Sequence, residues 1–145
     1  MDPMTLLLPA GLLQGAILTV AACYAGRRGT PNNLLGIRLW STTFSQAAWQ
    51  AGHRAAITYS WGLLLLSVTS LGLGVWFVQT PLGSNSALVT TYTLGSFISF
   101  LGVTLWMIYR AHRAAKAVAI DHVLQEDAEI IDALVEQRLA NQETQ

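Results

Sequence analysis

Three stretches of this chain, residues 4–25, 55–78 and 87–109, contain no Asp, Glu, Lys or Arg. Each exceeds the roughly 20 residues that carry a helix across about 30 Å of hydrocarbon. A soluble helix of that length normally keeps one polar face for water, and these runs have none. Composition agrees: 52% of the 145 residues are hydrophobic and 11% charged, against roughly 25% charged in globular domains. The expected fold is all-α, an integral membrane protein with three transmembrane helices, a structured cytoplasmic loop and a C-terminal cytoplasmic amphipathic helix. The first run is expected to be an uncleaved anchor, because no positively charged segment precedes it.

The charges outside the runs set the expected topology. Arg27, Arg28, Arg38 and Arg54 lie between the first and second runs, and Arg110, Arg113, Lys116 and Arg138 follow the third. Those are all 8 basic residues, and in a three-span chain both segments face the same side. The positive-inside rule then places the N-terminus outside and the loop and tail in the cytoplasm, across an inner (plasma) membrane. The chain accordingly divides into a membrane domain, 1–110, with its motif loop at 26–54, and a cytoplasmic helical tail, 111–145.

Acids are as unevenly spread as bases, with none between Asp2 and Asp121. Proton relays and metal sites within a bilayer draw on carboxylates and histidines, and the three runs hold neither. No phosphate-binding glycine loop and no Cys/His cluster of metal spacing is present. The expectation is therefore a protein that binds rather than catalyses, without a cofactor, a metal or a nucleic-acid partner. Cys23 is the only cysteine, so it has no intrachain disulfide partner.

Small residues mark candidate packing faces on two of the runs. Gly11 and Gly15 form a GxxxG pair, and Gly95, Ser99 and Gly102 make a similar face in the third run. Small residues at this spacing let helix backbones approach closely in lipid. Tyr59, Trp61, Trp76, Phe77, Trp106 and Tyr109 lie at run ends, as in an interfacial aromatic belt. Residues 110–140 read as one long helix, with Ile120, Val123, Leu124, Ile131, Leu134 and Val135 at helical spacing. Its first turns carry Arg110, Arg113 and Lys116, suited to anionic lipid headgroups. From Asp121 onward it is acidic apart from Arg138, and a cytoplasmic protein partner is expected there.

The loop at 26–54 is the least ordinary segment. A turn signal, Gly29-Thr30-Pro31-Asn32-Asn33, opens it. Ser45, Trp49 and His53 then recur at i, i+4 and i+8, so one helical face carries all three. Trp40, Phe44 and Trp49 suit headgroup depth, and a Trp49 face is expected to receive the Arg38 guanidinium.

Asn33, Gly36, Ile37 and Arg38, followed by Trp49, Gly52, His53 and Arg54, resemble the signature loop of SdpI-like membrane proteins. Leu39 stands where such loops usually carry threonine, and Gln46 and Ala47 where acids are common. The resemblance implies a bacterial toxin-immunity or signalling protein that protects against a membrane-active peptide by binding. Asn33, Gly36, Ile37, Arg38, Trp49, His53 and Arg54 are then its binding motif. A different role fits the regular spans and small faces: a structural accessory subunit packed on a larger membrane-protein complex.

Overall fold

A computed structural model describes residues 6–31 and 36–143. Among these the regular structure is all helix, with no strand: α1 (Leu7–Gly26), α2 (Trp40–Thr43), α3 (Gln46–Gln79) and α4 (Ser86–Glu143), with a 3-10 turn at Pro81–Ser84. Three of them, α1, α3 and α4, are long and apolar enough to cross a membrane.

The helix boundaries follow local chemistry. Pro9 sits in the first turn of α1, where its missing N–H removes no internal hydrogen bond. At the other end, Arg27 N–H donates to Cys23 O and Gly29 N–H to Ala25 O, both at 3.1 Å, closing the last turn. Ser45 caps α3 from extended backbone, its Oγ accepting from Ala48 N–H at 3.1 Å. That helix stops at Gln79 because Thr80 precedes Pro81 and is held extended. Asn85 Oδ1 accepts from the N–H groups of Ala87 and Leu88, at 3.1 and 3.2 Å, and starts α4. Beyond Gly102 no glycine or proline follows, and α4 continues through 58 residues, roughly 87 Å at about 1.5 Å per residue.

The third apolar run and the tail are thus one rod. No break falls at residue 110, and Ala111, Ala115 and Ala119 are still buried.

α3 is the centre of the bundle. α1 and α4 both pack along it and touch each other little. Its buried positions are Ala48/Trp49, Gly52/His53, Ala56, Ser60, Leu63, Ser67, Ser70 and Gly74. They alternate steps of three and four residues, the spacing that keeps one seam on its neighbours. Most are small, so the flanking backbones come close enough for short polar ties. Ser67 Oγ donates to Leu12 O of α1 at 3.3 Å. Ser70 Oγ donates to Ser96 Oγ of α4 at 2.9 Å, and Tyr92 OH donates to Ser70 O. The apolar core is correspondingly small-grained: Ala16, Cys23, Ala56, Leu63, Met107 and Ala111 in one cluster, Ala48, Ala115 and Ala119 in another.

The glycine faces read from the sequence lie elsewhere. A Cβ added at Gly11, Gly95 or Gly102 meets nothing, and one at Gly15 only just reaches the Phe100 ring at 3.9 Å. Ser99 is exposed. Gly11, Gly95, Ser99 and Gly102 look outward, away from the other described helices, and Gly15 lies at the edge of the contact with α4.

Candidate functional site

The loop folds against one end of the bundle, and His53 is at its centre. A backbone N–H can only donate. Ile37 N–H points at His53 Nε2, 3.0 Å away, so that nitrogen carries a lone pair. The ring proton is therefore on Nδ1, which donates to Trp49 O at 2.8 Å. Both nitrogens are engaged and the imidazole is neutral. It is fully buried and lies just before the apolar run 55–78. Burial pushes its pKa below the ordinary value, opposed in part by the bond to Trp49 O.

Glycines make room for this ring from two directions. Gly26, the last residue of α1, lies so close that a Cβ there would fall 2.2 Å from His53 Cδ2. Gly36 has φ +117°, a conformation that side-chain-bearing residues rarely adopt, and its Cβ would fall 2.5 Å from His53 Nε2 and 2.8 Å from Trp49. The Trp49 and His53 rings pack on each other with centroids 4.3 Å apart. Trp49 is completely buried, and its Nε1 is sealed from solvent with no partner among the described residues. It is a wedge inside the protein. Trp40 takes the exposed position instead, at 71%, with its ring 5.8 Å from that of Phe44.

Thr42 fixes the other side of the loop. Its Oγ1 accepts from Leu39 N–H at 2.9 Å and donates to Ile37 O at 2.7 Å. Residues 37 to 39 are held from both ends, by His53 through the Ile37 N–H and by Thr42 through the Ile37 carbonyl and the Leu39 N–H. Thr42 Cγ2 in turn fills the space over Gly52, where an added Cβ would lie 2.8 Å from it. Ser41 ties α2 to α4 through a 2.7 Å hydrogen bond to His112 Nδ1. A serine–histidine pair invites comparison with a nucleophile and its base. Ser41 is fully buried beneath the loop, which suits a structural tie.

Gly36, Ile37, Trp49 and His53 are therefore brought together, with Gly26, Thr42 and Gly52. Asn33 lies outside the described residues. Arg38 and Arg54 project to the surface on different sides. Trp49 is covered by His53 and Gly36, and the cation–π contacts among the described residues are Arg27 over Tyr24 at 4.4 Å and Arg110 over Tyr59 at 5.7 Å. Arg38 instead lines a cleft of about 330 Å³ with Ile37, Leu39, Ala22, Cys23, Met107 and Ile108. Ala22 and Gly26 repeat the small-xxx-small spacing of Gly11 and Gly15, and Thr42 is a capping residue by type, but no local pattern points Gly26 at His53 or Thr42 at Ile37.

Compared with protein-family models, curated proteins and solved structures, the chain matches none.

Proposed function

We propose that the chain is a three-span membrane protein of the SdpI-like kind, acting by binding through the cleft edged by Gly36–Leu39. One observation carries this reading. Gly36, Trp49 and His53 spend their chemistry holding the backbone of 37–39 rigid, and that backbone forms one wall of a mostly apolar cleft between α1 and α4 with Arg38 lining it. A preformed apolar groove with one cation suits a peptide that carries both an apolar face and an acidic or carboxylate group. The split of basic residues supports an outside N-terminus with the loop and tail in the cytoplasm.

Topology is tested by cysteine labelling in a Cys23→Ser background. An impermeant reagent on intact cells is expected to label a cysteine at Ser84 and not one at Gln137; the reverse pattern inverts the topology. Binding is tested by challenging expressing cells with membrane-active peptides. Protection that Arg38→Ala abolishes and Arg138→Ala leaves intact supports the cleft; equal protection by both variants removes it.

A second reading is favoured by the outward faces at Gly11, Gly95 and Gly102, which have open space beside them. They suit an accessory subunit seated against a larger membrane complex. Stoichiometric recovery of such a complex after mild detergent extraction, without peptide protection, would favour it.

A further inference from the structure

On the side of α3 that faces α1, three arginines converge. Arg27 and Arg28 follow the end of α1, Arg54 lies on α3, and with Ile57 and Thr58 they line a cleft of about 410 Å³. Among the described residues no carboxylate lies within ion-pair distance of these three. Among the described residues Arg54 reaches Gln50 Oε1, at a long 3.4 Å. Arg27 stacks on Tyr24, and its Nε is sealed from solvent with no partner among the described residues. Three guanidinium groups held together repel one another, and uncompensated donors so near apolar surface are unfavourable. A bound anion relieves both.

We infer that this cleft binds a phosphate group, through forked hydrogen bonds from Arg27, Arg28 and Arg54. Guanidinium geometry matches two oxygens of a phosphate at once, and several arginines match a single charged group better than scattered lysines. Two sources share this chemistry: the headgroup of an anionic phospholipid and free inorganic phosphate. The surroundings favour the lipid. The arginines stand where two uncharged runs begin and end, and Ile57 gives the cleft an apolar wall. One turn further along α3, Trp61 Nε1 donates to Tyr24 OH at 3.3 Å, with the rings edge to face. Such an amphipathic pair belongs at a boundary between apolar and polar surroundings. A headgroup in the cleft would leave its acyl chains beside Ile57 and Trp61.

The lipid source rests on the membrane reading; the phosphate chemistry does not. The full chain, purified in a mild non-ionic detergent, is titrated with phosphatidylglycerol, with phosphatidylcholine and with inorganic phosphate, following its thermal unfolding midpoint. Membrane insertion is scored separately by alkaline extraction of cell membranes. Saturable stabilisation by phosphatidylglycerol alone identifies the headgroup. Stabilisation by inorganic phosphate at comparable concentration identifies the free anion. In either case R27Q/R54Q is expected to weaken the apparent affinity by roughly tenfold, and R138Q, which removes a charge from the exposed tail, leaves it unchanged. R54K guards against misfolding in the double variant: it keeps the charge and should weaken binding by a smaller factor, because lysine lacks the fork. Equal response to phosphatidylcholine and phosphatidylglycerol, or full affinity in R27Q/R54Q, overturns the site. A chain that inserts but ignores every phosphate source loses this site alone; a chain that does not insert loses the membrane reading.

Discussion

The loop between α1 and α3 and the distal half of α4 are opposites. The loop is irregular and polar in sequence, yet its Ser41 and Thr42, and Trp49 and His53 at the start of α3 on which it folds, are all fully buried. The distal half of α4 is an unbroken helix with apolar residues at regular spacing, yet Ile130, Ile131, Leu134, Val135 and Leu139 are more than half exposed. Regular helix is a local outcome of propensity and uninterrupted hydrogen bonding. Burial depends on whether another surface has the matching shape. The loop finds that match through glycines at 26, 36 and 52, which admit rings and a methyl group where a Cβ would collide. Among the described residues the tail beyond Leu124 meets no such surface.

If that contrast is right, the strongest way to break it is to empty the loop's interior. Trp49→Ala removes a fully buried indole and is expected to lower stability by about 3–5 kcal/mol. Leu134→Ala on the exposed tail should change it by less than about 0.5 kcal/mol. Thermal unfolding of the purified chain in detergent measures both. Similar values at the two positions would mean that the tail is packed in a way the isolated chain does not show, or that the loop is not the anchor it looks.

A finer test fills space instead of emptying it. Gly26→Ala places a methyl group against the His53 ring, and overpacking of that kind costs about 1–3 kcal/mol. Gly11→Ala on the same helix points into open space and should be neutral, or slightly stabilising through higher helix propensity. The two substitutions are chemically identical, so a difference between them isolates the close approach at the loop end. Equal effects would show that the ring moves aside without penalty.

His53 also makes the contrast pH-dependent. The folded chain needs the neutral ring, because a proton on Nε2 would confront the Ile37 N–H. Its pKa is lowered on folding, so near and below the ordinary value of about 6.5 the unfolded state binds the proton more readily. Stability is then complete above about pH 6.5 and falls as pH drops below it, by up to about 1.4 kcal/mol per unit until the folded pKa is reached. His53→Gln, whose amide oxygen can accept from Ile37 N–H without titrating, should flatten that slope while lowering the plateau slightly. A slope unchanged in His53→Gln would show that this ring is not the group that titrates.

How far these features were legible varies with their physical origin. The three apolar helices follow from uncharged runs, because length and lack of charge are properties of contiguous sequence. The i, i+4 relation of Trp49 and His53 was legible for the same reason, since both lie on one helix. What α1 contributes was not: Gly26 meets His53 across 27 positions of sequence, and nothing in a local pattern announces such a contact. The small faces at Gly11 and Gly95 were conspicuous because they are glycines, yet the seam that holds the bundle is built from Ala56, Ser60, Ser67, Ser70 and Gly74 on α3. Its alternating three- and four-residue spacing was in the sequence, hidden by serines that look polar until their hydroxyls find backbone carbonyls and one another across the seam.

The smallest expected effect is the most informative about the tail. The buried clusters end at Ala119, and beyond it the nearest contact is a shallow apolar groove where Trp40 and Phe44 approach Ile120, Val123 and Leu124. Truncation after Leu124 keeps that groove and removes 21 residues, among them Glu126 to Glu143, which hold six of the 8 acids. Because no described side chain in the removed segment is buried, the unfolding midpoint should shift by less than the equivalent of about 0.5 kcal/mol. Any protein that copurifies through the acidic segment should disappear at the same time. Truncation after Ala119 cuts into the groove, so a loss of stability that begins only there would place the end of the packed structure between Ala119 and Leu124. A loss already seen with the longer chain would mean that residues 125–143 are held by something, and a second copy of the chain is then the first candidate. Comparing the oligomeric state of the full and shortened chains in the same detergent decides that point.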